Sequence, residues 1–131
     1  MRVGVRGRTV QAQSRRKGTA GEDRAVAWLC SQGWTIRDRN FRTRRGEIDV
    51  IAEKGSTVAF IEVKAWESLP QSELEYALSA RKQWRIAQAA RFYLALHPGV
   101  TGRQMRFDVI FLGAGNESVR HIEGAFNGGV D

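Results

Sequence analysis

A nine-residue run from Thr57 to Ala65 (TVAFIEVKA) constrains this chain more than any other segment. It is almost continuously apolar up to Glu62 and follows a short turn signal at Lys54-Gly55-Ser56. A strand without polar alternation is buried on both faces, which places it at the centre of a sheet covered by helices. The run then ends on two charged residues, Glu62 and Lys64. Alternate strand residues share a face, so these two point the same way.

The flanking segments supply the rest of such a sheet. Thr19 as N-cap, Glu22 at the third helical position and Gly33 as a stop predict a first helix over 20–32. Residues 34–39 read as a strand with Trp34, Ile36 and Asp38 on one face, and 39–46 as a basic turn. Glu47 to Ala52 reads as a second strand, hairpinned to the third. Beyond Pro70 a long helix is expected over 72–96, with an interruption near Ser79 and an end before Pro98-Gly99. Residues 104–112 and 118–122 complete the strands. The order is αβββαββ. A helical crossover between strands three and four makes them parallel neighbours in a mixed sheet of four to five strands flanked by helices.

The expected organisation is a basic N-terminal arm at 1–18, one domain at 19–126 and a flexible tail at 127–131. The chain of 131 residues has a net charge of +7, and six of its basic side chains fall in the first 18 residues with no acid among them. The remainder carries 15 basic against 14 acidic residues, so most of the excess belongs to the arm. Its composition favours a solvated arm, and phosphate contact is the functional alternative. Cys30 is the only cysteine, which excludes an internal disulfide and a multi-cysteine zinc site. No apolar run approaches the roughly 18–20 residues of a membrane span. A cytoplasmic protein without membrane contact is the expectation.

Chemistry concentrates where the second and third strands meet. A hairpin closing at 54–56 brings Asp49 across from Glu62 and Lys64, giving two carboxylates and an ammonium among apolar neighbours. Buried charges of this kind are either paired with each other, as an ordinary cross-strand salt bridge, or bind a metal. On the first helix Glu22 falls within the stripe of Ala25, Val26 and Leu29 and faces the sheet. It also fits a capping box with Thr19. Gln83 lies on the inward face of the long helix, where backbone hydrogen bonding is the ordinary alternative to a site role. His97 and His121 are too isolated to suggest a soft-metal site. Arg37, Arg39, Arg42, Arg44 and Arg45 lead directly into Asp49, with Phe41 among them. They read either as a solvated turn or as a grip on a phosphate backbone, with Phe41 stacking on an exposed base.

These residues carry a resemblance. Gly21-Glu22, Arg39-Asn40-Phe41-Arg42, Gly46-Glu47-Ile48-Asp49 and Phe60-Ile61-Glu62-Val63-Lys64 resemble the YraN-like family of uncharacterised bacterial proteins. Lys82-Gln83, Arg106-Phe107-Asp108-Val109 and Ile122-Glu123-Gly124-Ala125-Phe126 extend it over about residues 18–126. That family is similar to archaeal Holliday-junction resolvases of the PD-(D/E)xK nuclease superfamily. The resemblance implies a restriction-endonuclease-like core in which Asp49, Glu62 and the Val63 carbonyl bind Mg²⁺ or Mn²⁺. It implies that Glu22 completes the site and that Lys64 orients or activates the attacking water. The superfamily's proline is absent, since Ile48 precedes Asp49.

The implied function is a Mg²⁺-dependent DNA endonuclease hydrolysing phosphodiester bonds, with branched or flapped DNA as candidate substrates. Arg39, Arg42, Arg44, Arg45 and Gln83 are the expected nucleic-acid contacts. A homodimer and a DNA-repair or DNA-uptake partner protein are further expectations from the same resemblance. The alternative is a catalytically silent module that holds DNA or such a partner on a nuclease fold.

Overall fold

The structure, a computed structural model, describes residues 19–65, 78–114 and 118–129. The expected arm at 1–18 and the expected helical segment at 72–77 lie outside the described residues. The elements are α1 (Thr19–Ser31), β1 (Thr35–Arg42), β2 (Glu47–Lys54), β3 (Thr57–Ala65), α2 (Ala80–Leu96), a 3-10 turn (Pro98–Val100), β4 (Gln104–Leu112) and β5 (Val119–Phe126). They form a five-stranded sheet in sequential order, antiparallel except for the β3–β4 pair. The parallel pair is made possible by α2, which carries the chain back across the sheet. Among the described residues no helix is long and apolar enough to cross a membrane.

β3 is buried on both faces, as its composition requires. Val58 and Phe60 pack toward α2 with Ile86, Tyr93 and Phe107, whereas Ala59 and Ile61 pack toward α1 with Ala25, Leu29 and Ile110. Each helix thus covers one sheet face through a small-residue stripe, Ala25 on α1 and Ala87, Ala89 and Ala90 on α2. Ser79 caps α2, its side chain accepting a hydrogen bond from the Lys82 amide at 3.1 Å. The expected interruption near Ser79 is therefore this helix start.

Three strand ends differ from expectation, the first being β2, which runs to Lys54 rather than to Ala52. β5 runs to Phe126 rather than to residue 122, because Phe107 pairs with Phe126 across a register shift in the β4–β5 ladder. β1 continues through Arg42, which pairs with Glu47, so residues 39–42 belong to a strand and only 43–46 turn. The turn is closed by the Thr43 amide donating to the Gly46 carbonyl at 2.8 Å. Phe41 is consequently core, 1% exposed and edge-on to Tyr93, which removes it as a base-stacking residue. A run of Arg and Asn has poor strand propensity. Here its polar side chains find partners on both sides, Asp23 and Glu22 for Arg39 and Asn40, and Glu47 for Arg42.

Gly46 fixes this turn against α2. A β-carbon at Gly46 would run into the Arg85 backbone carbonyl, an atom that cannot swing aside. Gly46→Ala is therefore expected to destabilise the fold by about 1–3 kcal/mol, as overpacking does. Urea unfolding checks this, and a midpoint equal to that of the wild type would show that the turn is not seated on the helix.

Candidate functional site

The β2–β3 ladder is regular from Lys54↔Thr57 to Val50↔Ile61 and stops there. The next residues in register are Asp49 and Glu62. Asp49 Oδ2 accepts a hydrogen bond from the Val63 amide at 2.8 Å, so a side chain takes a backbone donor at the point where strand pairing ends. Both strands then border an open cavity of about 430 Å³ lined by Glu22, Arg24, Glu47, Asp49, Glu62 and Lys82, among others. Glu62 lies on the α2 side of β3, and its Oε2 is 3.4 Å from Lys82 Nζ on α2.

Glu62 Oε1 is buried and has no hydrogen-bond partner. Its neighbour is the Asp49 carboxyl, and the two acids hydrogen-bond only when one of them is protonated. Burial and the adjacent Asp49 charge push the Glu62 carboxyl up to about 8, against the pull of Lys82 and Lys64. Burial also raises Asp49, opposed by the Val63 amide, by Glu62 and by Lys82. Two like charges in a shielded site suppress each other's ionisation, and a proton or a cation between them relieves both. Lys64 shares the Glu62 face of β3, is half-buried and acts on Glu62 electrostatically.

The other anticipated residues are placed as follows. Glu22 faces inward and is 8% exposed, with its Oε1 2.7 Å from Asn40 Nδ2 and 3.8 Å from Arg39 Nη2. It lines the same cavity as Asp49 and Glu62. The expected convergence of three carboxylates is not found, since no group of three His, Cys, Asp or Glu side chains forms a ligand set among the described residues. The physical reason is that Glu22 hangs from α1 and is drawn to Asn40 and Arg39, whereas Glu62 faces α2. Asn40 reaches Glu22 from a left-handed backbone, φ 52°, which Asn tolerates better than most residues. Gln83 donates its side-chain amide to the Leu78 carbonyl at 3.1 Å, beside the start of α2. Arg39 pairs with Asp23 at 2.6 Å and Arg42 with Glu47 at 2.8 Å. Arg44 and Arg45 are exposed in the 43–46 turn.

Lys82 is the residue that strand spacing could not supply. It stands 18 positions beyond Lys64 and reaches Glu62 only because α2 crosses back over β3. The signal in the sequence is the Lys82-Gln83 pair within the first turn after the Ser79 cap, which marks that turn of α2 as polar on its sheet side.

Fold and site together define a class: a mixed α/β domain whose central strands part at a lysine-flanked carboxylate pair. The chain belongs to the Uncharacterised protein family UPF0102, whose model matches residues 21–112 and so includes every site residue above. A UPF0102 protein of Myxococcus xanthus is 42% identical over 125 residues, covering 94% of this chain and 98% of that protein. One from Persephonella marina is 40% identical over 111 residues, covering 85% and 93%, and one from Rhodopseudomonas palustris is 42% identical over 112 residues, covering 86% and 84%.

The carboxylate pair makes a pH-dependent prediction. An acid whose folded pKa is raised contributes stability that is full below its unfolded value, near 4.5, and lost as pH rises through about 8. In EDTA the wild type should lose melting temperature between about pH 5 and pH 9 relative to Glu62→Gln, a difference on the order of a few kcal/mol at the alkaline end. Melting curves that stay parallel across this range would mean that Glu62 is not held protonated by its surroundings.

Proposed function

We propose that this protein is a Mg²⁺-dependent DNA endonuclease that hydrolyses phosphodiester bonds at the Asp49–Glu62 site. The observation that carries this reading is the unsatisfied Glu62 Oε1 beside Asp49 in an open cavity. A hard cation satisfies that oxygen and offsets the burial and the Asp49 charge that raise Glu62. The donor set fits Mg²⁺, which uses one or two carboxylates and keeps several waters, better than it fits a closed all-protein cage. Asp49 and Glu62 would hold the ion. Bound there, it supplies Lewis acidity toward a phosphoryl oxygen and makes water acidic enough to attack near neutral pH.

The chain's own groups do the rest. The Val63 amide locks the Asp49 rotamer, and the end of the β2–β3 ladder opens the space in which a phosphate approaches. Lys64, on the Glu62 face, orients the attacking water or donates to the phosphoryl oxygens as negative charge grows on them. Lys82 offers a second ammonium once it is released from Glu62. Glu22, held by Asn40 and Arg39 at the wall of the cavity, is placed to order water there. Arg44 and Arg45 are the arginines of the basic segment with no ion pair among the described residues, and they are the proposed phosphate contacts.

The Lys82–Glu62 contact favours a second reading, in which a permanent ion pair keeps the site closed and the protein binds DNA without cutting it. The two readings separate on a panel of branched, flapped, single-stranded and linear DNA incubated with Mg²⁺ or Mn²⁺. The nuclease reading expects cleavage by the wild type, loss of about 10²-fold or more in Lys64→Ala, and abolition in Asp49→Ala. It also expects a metal-dependent rise in melting temperature that Asp49→Asn removes. Cleavage that persists undiminished in Lys64→Ala contradicts the mechanism. Absence of both cleavage and metal-dependent stabilisation in the wild type supports the binding module.

A further inference from the structure

Among the described residues, a cavity larger than the one at the carboxylate pair lies elsewhere. A groove of about 570 Å³ runs between the turn at 43–46 and the outer side of α2, lined by Thr43, Arg44, Arg45, Gln88, Arg91, Phe92 and Ala95. Three of these seven residues are arginines and none is acidic. α2 itself, from Ala80 to Leu96, carries Arg81, Lys82, Arg85 and Arg91 without a single Asp or Glu. A helix of one sign lacks the i,i+4 ion pairs that usually support an exposed helix face. Within this basic surface lie large exposed apolar side chains, Phe92 at 42% and Trp84 at 53%. Phe92 is also held from beneath, its ring 6.3 Å from that of the buried Phe41.

We infer that this groove binds a single-stranded segment of DNA, with an unpaired base stacked on Phe92 and phosphates on Arg44, Arg45 and Arg91. The inference rests on the proposed DNA-processing role and names its substrate class: DNA with an unpaired strand next to the cleavage site. Guanidiniums answer phosphates, and an aromatic face answers a base, but only a base that is not already stacked inside a duplex. The floor is rigid, because Gly46 seats the turn directly on the Arg85 backbone. Both walls lead to the carboxylate pair. Along α2, Lys82 and Phe92 are about 15 Å apart at 1.5 Å per residue. Along β2, Glu47, the first strand residue after the turn, precedes Asp49 by about 7 Å of extended chain. One strand can therefore lie across the groove and reach the site.

The test measures binding of fluorescein-labelled dT20 and of a 20-base-pair duplex to the full chain in EDTA, where cleavage is prevented. Phe92→Ala should weaken the single strand about tenfold or more and leave the duplex within about twofold. Phe92→Trp should retain single-strand affinity. Arg44→Glu with Arg45→Glu, both in the exposed turn, should weaken the single strand and flatten its salt dependence. Single-strand affinity unchanged in both Phe92→Ala and the arginine variant overturns the groove, whereas metal-dependent duplex cleavage in the same preparation leaves the nuclease reading standing. No binding of either DNA form overturns the groove, and the nuclease reading is decided by the cleavage panel alone. Sedimentation gives the remaining outcome: a wild-type dimer that Phe92→Ala converts to monomer makes the groove a subunit interface and overturns the inference.

Discussion

Asp49 substitutes a carboxylate for a strand. At the step where β2 and β3 would form their next backbone pair, its Oδ2 takes the Val63 amide, and the ladder ends. A buried amide left without a partner costs about 1–3 kcal/mol, so the strands can part here only because this side chain supplies the missing acceptor. The separation opens the cavity in which Asp49 meets Glu62, whose side chain strand alternation points toward α2. Lys82 and Lys64 are then needed to balance them. A strand buried on both faces thus ends at a polar site, and Asp49 and Glu62 mark the change.

The arginines divide according to this geometry. Those inside β1 are tied to acids: Arg37 to Glu53 and the Tyr93 hydroxyl, Arg39 to Asp23, Arg42 to Glu47. They allow a polar strand to pair at the sheet edge and contribute modestly, as exposed ion pairs do. Arg44 and Arg45 project from the turn toward a helix that has no acid to receive them. A second polar centre lies elsewhere on the sheet, where the fully buried Asp108 accepts from Arg106, His121 and the Gly124 amide. Those donors hold its carboxyl below the usual range despite burial. That cluster joins β4 to β5 and packs His121 against Trp28 and Trp34. It is an internal staple.

Much of this was legible in the sequence, and the failures have physical causes. The apolar run of β3 marks the sheet's centre, and the two-residue period with the hairpin at 54–56 places Asp49 against Glu62. Local propensity reads Arg-Asn-Phe-Arg as a turn and so leaves Phe41 outside the core. Only the tertiary partners on α1 and β2 reveal it as a strand with its phenyl ring inside. Glu22 was correctly placed facing inward, but helical periodicity carries no information about Asn40, whose left-handed backbone brings its amide to the Glu22 carboxylate. Lys82 and the Phe92 groove depend on how α2 crosses the sheet, and no spacing rule within one element encodes that.

The central claim is that Asp49 and Glu62 form a divalent-cation site rather than a permanent salt bridge with Lys82. The most direct measurement is anomalous diffraction from a crystal soaked in Mn²⁺ near neutral pH. The account predicts a single peak between the two carboxylates, within about 2.2 Å of an oxygen from each, with the Lys82 ammonium displaced from Glu62. No peak at saturating Mn²⁺, with Lys82 still on Glu62, would contradict it.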